Sequence, residues 1–191
     1  LNLIVNTVLN REDMVSRIVV GHPIEAFRDG VKTAQKIYCP KVDGYADIVV
    51  VSSYPADIDY WQAIKPLIYA HMAVKKGGTL ILISPCPERV SPVHPIFKER
   101  AALGYRENLE AIEKGEIDDL IAGGGLLLHA QILERAEVIC YSHGLTEGDK
   151  EALGFKHAAT PQEAVEMALK IQGKNAKVGI LKCGEILPSI S

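Results

Sequence analysis

A chain of 191 residues, 48% hydrophobic and 24% charged, is long enough to bury a core without disulfide or metal staples. Its net charge of -3 weighs against partners that need a basic face, namely nucleic acid and anionic membranes. No apolar run reaches the roughly 18–20 residues of a membrane span, and no basic-then-apolar leader opens the sequence. The four cysteines (Cys39, Cys86, Cys140, Cys183) form no CxxC pair. That usage fits a reducing cytoplasm and small packed hydrophobes rather than a disulfide framework. The first residue is Leu1 rather than Met, directly ahead of a strand-like run, which suggests a processed or cloned fragment.

Leu3 to Leu9 is β-branched and strand-like, a charged turn spans Asn10 to Asp13, and Ile18-Val19-Val20 forms a second short strand ended by Gly21. Pro23 to Tyr38 carries Ile24, Phe27, Val31 and Ala34 at helical spacing, with Pro23 suited to a first turn. Asp47 to Ser53 (DIVVVSS) is a continuous apolar run, as expected of a strand buried on both faces. Pro55 to Lys76 reads as a helix stopped by Gly77-Gly78, and Thr79 to Ser84 as another buried strand. The prolines between Pro85 and Pro95 mark an irregular loop.

Helices are expected at Ile96 to Leu103, Arg106 to Lys114 and Leu126 to Arg135, then a strand at Glu137 to Ser142. Thr160, Pro161 and Glu163 form a capping-box signature for a helix running to Gln172, and Ala176 to Leu181 supplies a last strand. Strands alternating with helices predict an α/β fold: a three-layer, open, mostly parallel Rossmann-like sheet with helices on both faces. No linker or repeat interrupts it, so residues 1–191 are read as one domain.

Open parallel sheets bind ligands beyond the carboxyl ends of their strands. Three segments qualify. In Ser52 to Lys65, Asp57 or Asp59 can cap a helix, and Gln62 and Lys65 share a face because they lie three residues apart. An amide and an ammonium so placed can hold a carboxylate or phosphate, or steady oxyanion charge; the alternative is a solvated polar face beside a buried Trp. Pro66 removes the amide that would bond the Gln62 carbonyl, so a bend is expected there. In Ser84 to Arg89, Cys86 could act as a nucleophile only with an activating partner that the sequence does not place, and a small packed Cys is the plainer reading. Around Ser142 to Asp149, the Gly123-Gly124-Gly125 run, His129, His143 and Gly144 offer amides and imidazoles, but no GxGxxG. The six histidines show no HxH or HxxxH, so no metal site made by this chain alone is expected. His71 reads as packing, while His22 and His129 read as flanking helix starts.

The succession NTVLN, GHPIEAFRDGVKTAQKIY, ADIVVVSSYPADIDYWQAIK, AVKKGGTLILISPCPE and TPQEAVEMALKIQGKNAKVGIL resembles the C-terminal domain of the nickel-dependent lactate racemase family, from about Leu3 to the C-terminus. The resemblance implies half of a two-domain enzyme with its site between the domains. The implied cofactor is the nickel-pincer nucleotide (pyridinium-3,5-bisthiocarboxylic acid mononucleotide nickel). A histidine would take the hydroxyl proton while hydride passes from the substrate carbon to the cofactor and back. The acid/base histidines, the tethering lysine and the nickel-ligating histidine would belong to the chain's own N-terminal domain, absent here, so this fragment alone is expected to be inactive.

By the same resemblance, Lys65 and Gln62 are the catalytic residues of this half. Lys65 would offset charge on substrate or cofactor, with Gln62 hydrogen-bonding beside it. Trp61, Tyr54 and His129 are implied as substrate or cofactor contacts. Trp61 stands where the family's namesake enzyme carries Tyr, and the SSYP segment is shorter, which separates the expected small-molecule 2-hydroxy acid from lactate itself. Neither nucleic acid nor membrane is expected as a partner, and oligomerisation is left open. Two other classes compete. Val74 to Leu80 resembles a methyltransferase helix-to-strand turn, although Asn10 to Asp13 is not the acidic glycine-rich loop such enzymes need. A non-catalytic docking or small-molecule-binding module would leave the polar pair idle.

Overall fold

The computed structural model describes residues 2–191. In chain order the elements are β1 (Ile4–Leu9), β2 (Val15–Gly21), α1 (Pro23–Tyr38), β3 (Lys41–Val42), β4 (Ala46–Ser52), α2 (Tyr60–His71) and β5 (Val74–Ile83). There follow α3 (Pro95–Arg100), α4 (Tyr105–Glu113), α5 (Leu120–Arg135), β6 (Ala136–Tyr141), α6 (Glu147–Ala152), β7 (Lys156–His157), α7 (Pro161–Gln172), β8 (Val178–Leu181) and β9 (Ser189–Ile190). Their contacts form two compact units, one from the N-terminus to Asp43 together with Ile186–Ser191, the other Gly44–Glu185. No Gly-, Pro- or Ser-rich linker marks the division, so composition alone reads the chain as continuous.

In the smaller unit β1 and β2 form an antiparallel hairpin apart from the main sheet, closed by a turn in which the Asn10 side chain accepts from the amides of Glu12 and Met14. The sequence alternation does not distinguish this hairpin from the first strand of a parallel sheet. Val8 and Val19 point to one side of it, where Gly30 of α1 lets them approach to side-chain contact. The helix spans the expected residues, but Ile24 and Phe27 of its apolar stripe stay exposed, and its buried positions are Ala26 and Gly30.

The larger unit is built on a five-stranded sheet in the order β7-β6-β5-β4-β8, with every pairing parallel. Side chains alternate across a strand. Ile48, Ile81 and Ile139 therefore share one face, where they pack against Ala164 and Ala168 of α7. Val49, Leu80, Leu82 and Val138 fill the other, which α2 and α5 cover. Helices on both faces of an open parallel sheet agree with the expected architecture. Thr160 caps α7 through the Glu163 amide, while the Glu163 carboxylate accepts from Ala159 N at 2.7 Å.

Two boundaries differ from the sequence pattern. Helix α2 starts at Tyr60 and ends at His71, and Gly77 and Gly78 lie inside β5 rather than at a helix end. Gly78 is required by packing, since a Cβ there would crowd Val74 and the Asp47 carbonyl. The second concerns Gly123-Gly124-Gly125, which are inside α5, not in a loop ahead of it. Their amides are spent on the helix, and no exposed anion cradle forms. Among the described residues, no helix is long and apolar enough to cross a membrane.

Candidate functional site

Strand β4 delivers the chain to the segment Ser53 to Asp59, which ends in the cap of α2. Asp59, 5% exposed, accepts from the Gln62 amide through Oδ1 at 2.8 Å. The cap satisfies one of the four amides that every helix start leaves unpaired. It also fixes the backbone that carries Gln62. The helix is anchored again by Tyr60 N to Arg89 O and Trp61 N to Val90 O, both 2.9 Å, which tie it to the loop after β5. The polar pair thus sits on a rigid base.

Lys65 Nζ donates to Gln62 Oε1 at 2.5 Å. Lys65 is exposed and Gln62 half-buried. The amide nitrogen of Gln62 and the remaining ammonium protons have no protein acceptor among the described residues, so the pair presents donors only. Trp61 precedes it on the same turn and is wedged sideways. A Cβ at Gly125 would collide with its ring carbons Cζ3 and Cη2, so the helix–helix approach depends on glycine at 125. Phe97 meets the same ring edge-on, with centroids 5.4 Å apart. Tyr54 lies before the helix in the Ser53 to Asp59 segment, 66% exposed, with its carbonyl accepting from Gly184 N. The peptide between Tyr54 and Pro55 is cis.

His129 does not join this group. It is fully buried in α5, its Nδ1 accepts from the Tyr60 hydroxyl at 2.8 Å, and its Nε2 donates to the Leu153 carbonyl at 2.9 Å. Tyr60, Phe97 and Phe155 surround the ring. Burial holds its pKa down at about 4 despite the Leu153 carbonyl, and the imidazole is neutral. With both nitrogens committed inside the core, it has no group to offer a ligand, which corrects the sequence expectation. The glycines before His129 serve packing: Gly125 admits the Trp61 and Phe97 rings, and Gly123 admits Ile112.

Cys86 is equally inert. It is fully buried, burial pushes its thiol up to about 11, and the Ser84 hydroxyl beside it only partly offsets that. A buried chain of Ser53, Ser84 and Cys86 closes the floor beneath the loop. His143 is exposed and bonded to its neighbour Tyr141 at 2.8 Å, and His22 stands at the N-cap of α1 without a side-chain cap. Gly144 packs against the Cys86 carbonyl so closely that any Cβ would overlap it.

Three arrangements escaped the sequence pattern. His94, the residue before Pro95 at the start of α3, bonds through Nδ1 to Asp119 Oδ2 at 2.5 Å, and its ring lies 4.3 Å from that of Trp61. Asp119 caps α5 with its other oxygen. An HP dipeptide and an Asp before an apolar helix are visible in sequence, but their pairing is tertiary. Lys150 is only 1% exposed, with its ammonium on His157 Nδ1 and the Ser142 carbonyl. Asp149 is also buried and takes Arg89 at 2.7 Å and Lys98 at 2.6 Å. These two cations line a cavity of about 460 Å³, with Glu88 and Glu99 beside them, so its charges are largely internally compensated.

Among the described residues no three His, Cys, Asp or Glu side chains gather as a metal site. The family model of the lactate racemase C-terminal domain matches residues 42–186. The solved lactate racemase apoprotein from Thermoanaerobacterium thermosaccharolyticum is 21% identical, with a TM-score of 0.85 over 100% of this chain and 46% of that one. A solved protein from Thermotoga maritima is 14% identical, with a TM-score of 0.63 over 99% of this chain and 49% of that one. At those identities the likeness concerns the fold. This chain spans about half the length of both solved chains. No curated protein matches the sequence.

Proposed function

Because the chain belongs to the lactate racemase C-terminal domain family, we propose that it forms one half of a 2-hydroxy-acid racemase or epimerase. The observation that carries this reading is the Lys65–Gln62 pair: donors only, on a capped helix start beyond the carboxyl end of a buried parallel strand. Such a pair attracts an anion with at least two oxygens. Lys65 offsets the carboxylate charge and Gln62 Nε2 donates to a second oxygen, with Trp61, four residues before Lys65 on the same helix, as the adjoining contact. Tyr54, exposed on the preceding segment, is the further contact we assign.

The family implies a nickel-pincer nucleotide. The residues present do not fit a nickel ligand set, as no suitable cluster of donors occurs among the described residues. They do fit the anionic groups of such a nucleotide, through Lys65 and Gln62. When bound, the nucleotide supplies a hydride acceptor. The role of this chain's own residues is to bind and orient the acid, with the proton-transferring histidines coming from an N-terminal domain.

The methyltransferase alternative loses its sequence support. Val74 to Gly78 lies within β5, and Asn10 to Asp13 closes a hairpin outside the parallel sheet. The test is an NMR titration of the chain with DL-lactate and DL-2-hydroxybutyrate. Saturable shifts centred on Trp61, Gln62 and Lys65, and abolished in Lys65→Ala, are expected. Shifts equal in the variant would refute the assignment.

A further inference from the structure

We propose that His94, held by Asp119, is an additional ligand-contacting residue of the Gln62–Lys65 site, hydrogen-bonding an oxygen of the bound hydroxy acid through Nε2. The inference rests on the reading of that site as a small-carboxylate site. It starts from the ring itself. His94 Nδ1 is bonded to Asp119 Oδ2, and this carboxylate is anchored by the amide of Ala122 on its other oxygen. A carboxylate that accepts the Nδ1–H hydrogen bond fixes the tautomer and the ring plane, and leaves Nε2 as the working nitrogen. Nε2 has no protein partner among the described residues, and it is not one of their buried unpaired atoms. The side chain is 14% exposed, so the imidazole is held in place without being sealed from solvent.

The placement follows from helix geometry. The imidazole packs on Trp61 at 4.3 Å between centroids, and Trp61 and Lys65 stand four residues apart on α2, hence on one face. Gln62 completes that turn. Three elements therefore converge here: α2 with the donor pair, the start of α3 with His94, and the start of α5 with Asp119. A bond that only pinned α3 to α5 would need neither the open nitrogen nor the contact with Trp61. Beside a donor-only pair, an imidazole with Nδ1 protonated adds an acceptor, which suits the hydroxyl of a 2-hydroxy acid as the pair suits its carboxylate. Asp119 acts through His94 and is a positioning residue.

His94→Asn separates the roles. The Asn amide stands where Nδ1 stands and keeps the bond to Asp119, but it has nothing at the Nε2 position. In a titration of the full chain with DL-lactate, the His94 Cε1–Hε1 signal of the native protein should shift on binding. His94→Asn should keep a native spectrum yet bind about five- to tenfold more weakly, the scale of one lost hydrogen bond. Should His94→Asn bind like the native chain while Lys65→Ala does not bind, the inference is wrong and the site reading stands. Should lactate leave Gln62 and Lys65 unmoved in the native chain, both are wrong. An unshifted His94 signal in a chain that does bind lactate at Lys65 also overturns the inference.

Discussion

The Tyr60 hydroxyl donates to Nδ1 of His129 at 2.8 Å, and both side chains are completely buried. Helix α2, which carries the candidate site on its outer face, is thereby fastened to α5 through a polar contact in an apolar core. A buried imidazole is compatible with folding only while neutral. Its pKa falls from 6.5 to about 4, chiefly through burial. The unfolded chain therefore binds the extra proton first. Stability conferred by neutral His129 is complete above about pH 6.5 and is lost as pH falls towards 4, by up to about 3 kcal/mol. Urea unfolding at pH 7 and pH 4.5 should show this loss, and Tyr60→Phe with it should lose the hydroxyl bond at both pH values.

Asp149 gives a second, more acidic window. Burial by itself would raise its pKa, but the Lys98 ammonium and the hydroxyl and amide of Thr146 outweigh burial and bring it to about 2, below the usual 3.8. Stability from this carboxylate is full above about pH 4 and disappears as pH falls through 2. Asp149→Asn should therefore flatten the acid limb of the unfolding curve below pH 4 and leave the His129 limb between pH 4 and 6.5 in place.

The seat of Trp61 depends on a missing methyl group. Gly125→Ala should push the indole outward, red-shift the emission of the single tryptophan, and weaken any ligand response at Gln62 and Lys65. Overpacking of this kind costs about 1–3 kcal/mol. Gly124→Ala is the control. It has open space at its Cβ and should raise helix stability slightly.

Thiol reactivity should divide the cysteines in two. Cys86 and Cys140 are buried, with thiols pushed by burial to about 11 and about 12, whereas Cys39 and Cys183 are half-exposed. A disulfide reagent at pH 8 should modify two thiols promptly and the other two only on unfolding. Fast modification of Cys86 in the native chain would contradict its place under the Ser84 loop.

The parallel sheet was legible because DIVVVSS, TLILIS and EVICYS are uninterrupted apolar runs, which only a strand covered on both faces explains. Capping chemistry was legible too, since Asp59 and Thr160 act on neighbours three residues away. What stayed hidden was tertiary. Gly77-Gly78 reads as a helix stop because glycine usually serves there, but inside β5 Gly78 admits the Asp47 carbonyl and Gly77 takes a φ of 77°. The Gly-rich run before His129 looks like an anion loop, although the glycines are seats for Trp61 and Ile112. The His94–Asp119 bond spans 25 residues and carries no local signature. Gln62 and Lys65 were found because their relationship is local to one helix.

The most direct test of the half-site account is catalytic. With an N-terminal domain of the family placed ahead of this chain and charged with cofactor, loss of enantiomeric purity of a 2-hydroxy acid can be followed by chiral chromatography. The account predicts racemisation that falls by about 100- to 1,000-fold in Lys65→Ala with the fold retained, the usual scale for losing one preorganised charge donor. Turnover unchanged by Lys65→Ala would contradict it.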